Sequence, residues 1–216
     1  EISHYILDHV QVDSSMCWSE CLYQQIQGTA SYQQILHEVS ENLVQGVALK
    51  ASFSNGDPLL HHLIKCKKEV YHFNGLSHIK GGHALYDAFD KQGRPAQLIA
   101  LEMGALQCFI TCYLYSSNKN WHDKRNLNYF VIAIEKGQDD IAKQCQKWGD
   151  LMERVNGKTQ AEWLIQDSRN AILFKAIEAY GCRFTMSDFK FAEKVGNQDV
   201  IQWVLEKQES IASLQS

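Results

Sequence analysis

Two groupings of side chains in this chain of 216 residues have the types and spacing for chemistry. The first joins Cys17, near the start of the helical stretch "DSSMCWSECLYQQIQG" (13–28), to His83 and Asp87 in "GGHALYDAFD" (81–90). A helix N-terminus lowers the pKa of a thiol, so Cys17 could attack as a thiolate. His83 could then serve as base, with Asp87 or Asp90 orienting it, as in a cysteine-dependent hydrolase. The plain alternative is a packed cysteine and a polar loop histidine, and no β-rich half is evident to carry His83.

The second grouping is a crowd of histidines, His61, His62, His72, His78 and His83, around Cys66. His62 and Cys66 stand four apart, so one helix face presents both and they could share a zinc ion. The remaining ligands would have to come from an irregular stretch without a standard spacing. Cys17/Cys21 and Cys108/Cys112 have the same four-residue spacing. They read as small apolar residues of a helix face. No cofactor is expected.

The elements that must position these groups are helical. The chain is 45% hydrophobic and 21% charged, enough apolar residue to bury a sizeable core. It has only two prolines, and no long alternation of apolar and polar residues flanked by Asn-Gly turns marks a strand. A net charge of −4 argues against nucleic acid as the main partner. No apolar run approaches the ~18 residues of a bilayer span, and no secretory signal is evident. Seven scattered cysteines, an odd number, fit free thiols in a reducing cytoplasm. Beginning at Glu1 rather than Met, the chain is expected to be a piece of a longer protein.

A repeat organises the helices. "QGRPAQLIALEMGALQCF" (92–109) aligns with "RNLNYFVIAIEKGQDDIA" (125–142) at an offset of 33. Gly93 falls over Asn126, Pro95 over Asn128, Ala100 over Ala133, Gly104 over Gly137 and Cys112 over Cys145. Asp90-Lys91 stands over Asp123-Lys124 at the same offset. Another copy opens at Gly157 with Thr159 in the place of Pro95, and the last has Ala192 and Gly196 in the slots of Ala100 and Gly104. Backwards, "NGDPLLHHLIKC" (55–66) starts the first copy. Each copy reads as a turn, a short apolar helix, a glycine break needing positive φ, and a second helix opened by Gln107, Asp140 or Asp199. No copy could bury its apolar face alone, so stacking is required.

These residues resemble the ankyrin repeat: the 33-residue step, the Gly-x-Pro/Thr opening, the Ala and Gly seven and eleven residues on, and the Asp-Ile/Val pair. "DPLLHHL" is similar to that family's Thr-Pro-Leu-His, with His61 matching its histidine. Such divergent arrays also resemble those of effectors that intracellular bacteria place in host cells. The resemblance implies an all-α, ankyrin-like solenoid of four to five repeats over 53–207, behind an amino-terminal helical cap (1–52) and before a polar tail (208–216). It implies a monomeric module that binds a partner protein, one with an acidic surface, in the cytoplasm of its own or a host cell. In such stacks the turns project as fingertips and the first helices line a concave face. The tips would hold Lys91, Gln92 and Arg94, then Lys124, Arg125 and Leu127, then Asn156 and Lys158. The concave positions would hold Glu102, Met103, Glu135, Lys136, Gln166 and Asp167, with Met103 and Trp121 as anchors. Trp148, Trp163 and Trp203 are expected in the core.

Overall fold

The structure, a computed structural model, describes residues 57–66 and 82–214 together with position 34, and side chains through 207. The proposed cap at 1–52, with Cys17, and the stretch holding His72 and His78 lie outside the described residues. The described chain is mostly helical. It divides into two compact parts, 1–119 and 120–216.

The first part contains α1 (Leu59–Lys65), α2 (His83–Tyr86), α3 (Ala96–Glu102) and α4 (Leu106–Tyr115). α1 packs on α3, α3 on α4, and α2 on α4. Residues 90–94 form a tight turn ahead of α3: the Asp90 amide donates to the Arg94 carbonyl at 3.0 Å and the Gly93 amide to the Asp90 carbonyl at 2.9 Å. Pro95, extended at φ −77°, caps α3. Its missing N–H costs nothing at a helix start.

The second part contains α5 (Tyr129–Glu135), α6 (Asp139–Gln146), β1 (Arg154–Val155), β2 (Lys158–Thr159), α7 (Gln160–Gln166), α8 (Asn170–Tyr180), α9 (Met186–Val195) and α10 (Gln198–Leu214). α5 packs on α6 and α8, α7 on α8 and α9, and α9 on α10. Every residue from Tyr129 to Ile134 is buried, so α5 is apolar all round because it is covered all round. β1 and β2 pair antiparallel across Asn156-Gly157, both with positive φ (52° and 82°). That is the Asn-Gly hairpin signal, and it is the exception to an otherwise helical reading. α10 runs to Leu214, so the expected boundary between repeats and tail at 207 falls inside a helix.

The same motif recurs in both parts: turn, short helix, left-handed residue, second helix. The left-handed residue is Gly104 (φ 67°), Gly137 (69°), Ser168 (54°) and Gly196 (75°) in successive copies. It reverses the chain so that the second helix lies back on the first, and Ala100, Ala133 and Ala192 are fully buried at these contacts. The helix starts are secured locally as well. Asn128 accepts from the Val131 amide, and Thr159 and Thr185 form capping boxes with Glu162 and Asp188.

Polar side chains tie neighbouring copies through backbone groups. In the first part, His61 Nε2–H donates to the Arg94 carbonyl at 2.7 Å. In the second, Gln160 accepts from the Asn128 amide at 2.9 Å and donates to the Asn126 carbonyl at 2.9 Å. Because Nε2 carries the proton, His61 Nδ1 is bare, and it is buried without a partner. Burial therefore lowers the His61 pKa, against the opposing effect of the Arg94 carbonyl.

Two outcomes follow for stability. Gly137 has open space around a built Cβ, so Gly137→Ala strains only the left-handed backbone; urea unfolding should show a loss of about 1 kcal/mol. His61, with a folded pKa below 6.5, leaves protons to the unfolded chain, so stability is full above pH 6.5 and falls as pH drops through it. His61→Gln, which keeps an N–H donor, should flatten that acid-side fall when unfolding is measured across the same range.

Candidate partner-binding surface

The turns ahead of α3 and α5 are built by aspartates, Asp90 and Asp123, and not by the basic residues at their tips. Asp90 Oδ1 accepts from the amides of Gln92 and Arg94, both at 2.9 Å, and its Oδ2 from Arg94 Nε at 2.8 Å. Asp123 does the same one repeat later, accepting from the amides of Arg125 (2.8 Å) and Leu127 (3.0 Å) and from Arg125 Nε (2.6 Å). Burial by itself would raise the Asp90 pKa, but the Arg94 and Gln92 bonds outweigh it and hold the carboxyl below the usual range. The signal for this role was present as Asp90 over Asp123 at the repeat offset.

Each turn is also strapped to the far end of its own first helix. Arg94 reaches Glu102 at 3.2 Å. Arg125 meets Glu135 in a bidentate pair, both bonds 2.8 Å, and Arg169 joins the same carboxylate. Lys158 donates to Gln166. The first copy reverses the charges, with Asp57 before the helix and Lys65 at its end, at 2.8 Å. The Arg125 hydrogen bond is the main reason that the Glu135 carboxyl titrates below its ordinary range, and burial opposes it.

The predicted surface residues divide accordingly. Lys91, Gln92, Lys124 and Lys136 are exposed, as are Glu102 and Met103, the last at 40%. No ion pair engages Lys91, Lys124 or Lys136 among the described residues. Arg94, Arg125 and Glu135 are half-buried in the straps, and Lys158 is half-buried against aromatic rings. Leu127 is a correction. It is 0% exposed and cannot contribute to a rim. In the third copy the strapping arginine, Arg125, sits two residues earlier than Arg94 does in the second, and Leu127, in the Arg94 slot, turns into the core.

The tryptophans are corrected too. Trp148, Trp163 and Trp203 are half-buried rather than interior. Trp203 stacks on Phe174 at 4.8 Å while its indole N–H points to Glu178 at 3.3 Å, using both its apolar and its polar side. Trp121 is half-buried and stacks on Tyr129 at 5.5 Å.

The chemical candidates fare differently. Asp87 is spent on the loop after α4, accepting from the Ser116 and Ser117 hydroxyls, the Ser117 amide and Asn118. Exposed His83 instead places Nδ1 3.1 Å from the Tyr115 carbonyl, so the base and its supposed orienter are not hydrogen-bonded. Cys17 is outside the described residues. His62 Nε2 lies 3.5 Å from Cys66 Sγ, but no cluster of three or more metal-ligating side chains occurs among the described residues. Burial pushes the Cys145 thiol up to about 12 and Cys182 up to about 11, which makes both poor nucleophiles. No helix among the described residues is long and apolar enough to cross a membrane. No protein-family profile, curated protein or solved structure matches the chain.

Glu135→Gln should cost about 1 kcal/mol at neutral pH in thermal or urea unfolding, since it takes the carboxylate from Arg169 and leaves Arg125 with Asp123 alone. The carboxylate contributes above its unfolded pKa near 4.5 and loses that contribution as pH falls through its lower folded value. Wild type and variant should therefore converge in acid.

Proposed function

We propose that this chain is a non-catalytic, protein-binding module built as a divergent ankyrin-like stack. It engages its partner through the turn tips and the exposed ends of the first helices. The observation that carries this reading is the strapped turn. A side chain before each of α1, α3, α5 and α7 is tied to the residue at that helix's end, so the tip is held rigid before any partner arrives. Preorganisation of this kind lowers the ordering cost of association.

Lys91, Lys124 and Lys136 are then exposed cations open to a partner, because Arg94 and Arg125 are neutralised within the chain. An acidic protein surface suits them, and exposed Met103 supplies an apolar contact. By its resemblance to effector arrays, such a partner would be met in a host cytoplasm. The cysteine hydrolase is the weaker reading, since Asp87 is engaged away from His83.

Affinity capture from a eukaryotic lysate tests the proposal. Wild type is compared with a variant in which Lys91, Lys124 and Lys136 are all changed to Glu, each an exposed side chain whose reversal leaves the straps intact. A protein retained by wild type and lost by the variant is the expected result. Equal retention would overturn the lysine assignment, and retention by neither would sink the free-standing binder.

A further inference from the structure

The straps are not electrically equivalent, and the difference marks one place on the second part. Asp57–Lys65, Arg94–Glu102 and Arg125–Glu135 each join opposite formal charges. Lys158 meets only the neutral amide of Gln166. Its hydrogen bond is satisfied and its charge is not.

The surroundings of Lys158 are aromatic. Its ammonium lies 4.5 Å from the centre of the Trp163 ring on α7 and 5.7 Å from that of Phe191 on α9. Trp163 and Phe191 are both half-buried, so neither side chain is closed off from solvent. Trp163 is held in place because its indole N–H donates to the Val155 carbonyl at 3.1 Å. The carboxylates of the two helix starts are committed elsewhere, Glu162 to the Thr159 amide and Asp188 to the Thr185 amide and hydroxyl. Asp167, the C-cap of α7, and Glu193 on α9 are exposed and form no ion pair among the described residues, and exposed Lys190 and Lys194 share α9 with Glu193.

On the reading of this chain as a protein-binding module, we propose that Lys158, Trp163 and Phe191 form a seat for an Asp or Glu side chain of a partner peptide. The carboxylate takes the place of the Gln166 amide and neutralises the ammonium, while its methylene groups lie against the two rings. Partial desolvation by the rings strengthens the charge pair beyond its worth on an open surface. A single ammonium beside two rings matches the one charge of a carboxylate with its short carbon stem, whereas a phosphate group carries roughly −1.5 to −2 and would be left under-neutralised.

The test is selection of short displayed peptides on wild-type protein, followed by affinities of a selected synthetic peptide for variants whose fold is confirmed by circular dichroism. Selected peptides should share an Asp or Glu beside an apolar residue. Lys158→Gln should weaken binding by about ten-fold or more, the loss of one charge pair, whereas Lys158→Arg should retain it. The decisive variant is Gln166→Glu, which keeps the lysine and recreates the ion pair of the other copies. It should raise stability slightly and weaken peptide binding as much as Lys158→Gln does. Peptides lacking an acidic position, unchanged affinity in Gln166→Glu, or no peptide selected at all would each overturn the inference. None of these would touch the lysate experiment, whose variant leaves Lys158 in place.

Discussion

Four of the helices that open the repeated motif, α1, α3, α5 and α7, are seven residues long. A helix of that length pays for its nucleus without enough hydrogen bonds to recover the cost, and in isolation ~12–15 residues are needed for even marginal stability. These helices therefore exist only because neighbours cover them, which is why Ala96–Leu101 and Tyr129–Ile134 are buried without interruption. The left-handed residue that follows α3, α5 and α7 (Gly104, Gly137 and Ser168) is the condition for this. It turns the chain back at once, so a second helix covers the first before any distant contact is made.

Short buried helices leave little surface of their own, and what remains accessible is concentrated at the turns and at the helix ends. The straps join these two places. Their consequence for recognition is subtractive: the arginines that look like a basic row are consumed in holding the turns, and the free positive charge moves to lysines and to the one strap that ends on an amide. Surface charge read from a sequence counts residues. What a partner meets is the charge left after internal pairing.

The organisation of the fold was legible at particular residues. Gly104, Gly137 and Gly196 mark the left-handed breaks because only glycine takes that backbone cheaply, and Asn126 stands at positive φ in the slot of Gly93. Ser168 breaks the chain equally well without being glycine, so the copy that opens at Gly157 lacks the glycine signal at that slot. Leu127 was misplaced because the turn was assumed to be in the same register as that of Arg94. The Asn156-Gly157 hairpin was passed over because its strands have two residues each. That Asp90 and Asp123 share a role is marked in the sequence by their common repeat offset, but the role itself, accepting from three donors in one turn, is a property of folded geometry.

What the sequence alone determined is local and set by covalent constraints: helical periodicity, the positions that demand positive φ, the capping residues Asn128, Thr159 and Thr185, and the spacing at which they recur. What only the tertiary structure decided is pairing. Arg94 and Arg125 occupy different slots of their copies yet each ends on the carboxylate at the close of its first helix. Lys158 follows the same course and finds an amide, with two rings beside its ammonium. Long side chains choose partners by distance through space, and that distance exists only once the short helices have packed.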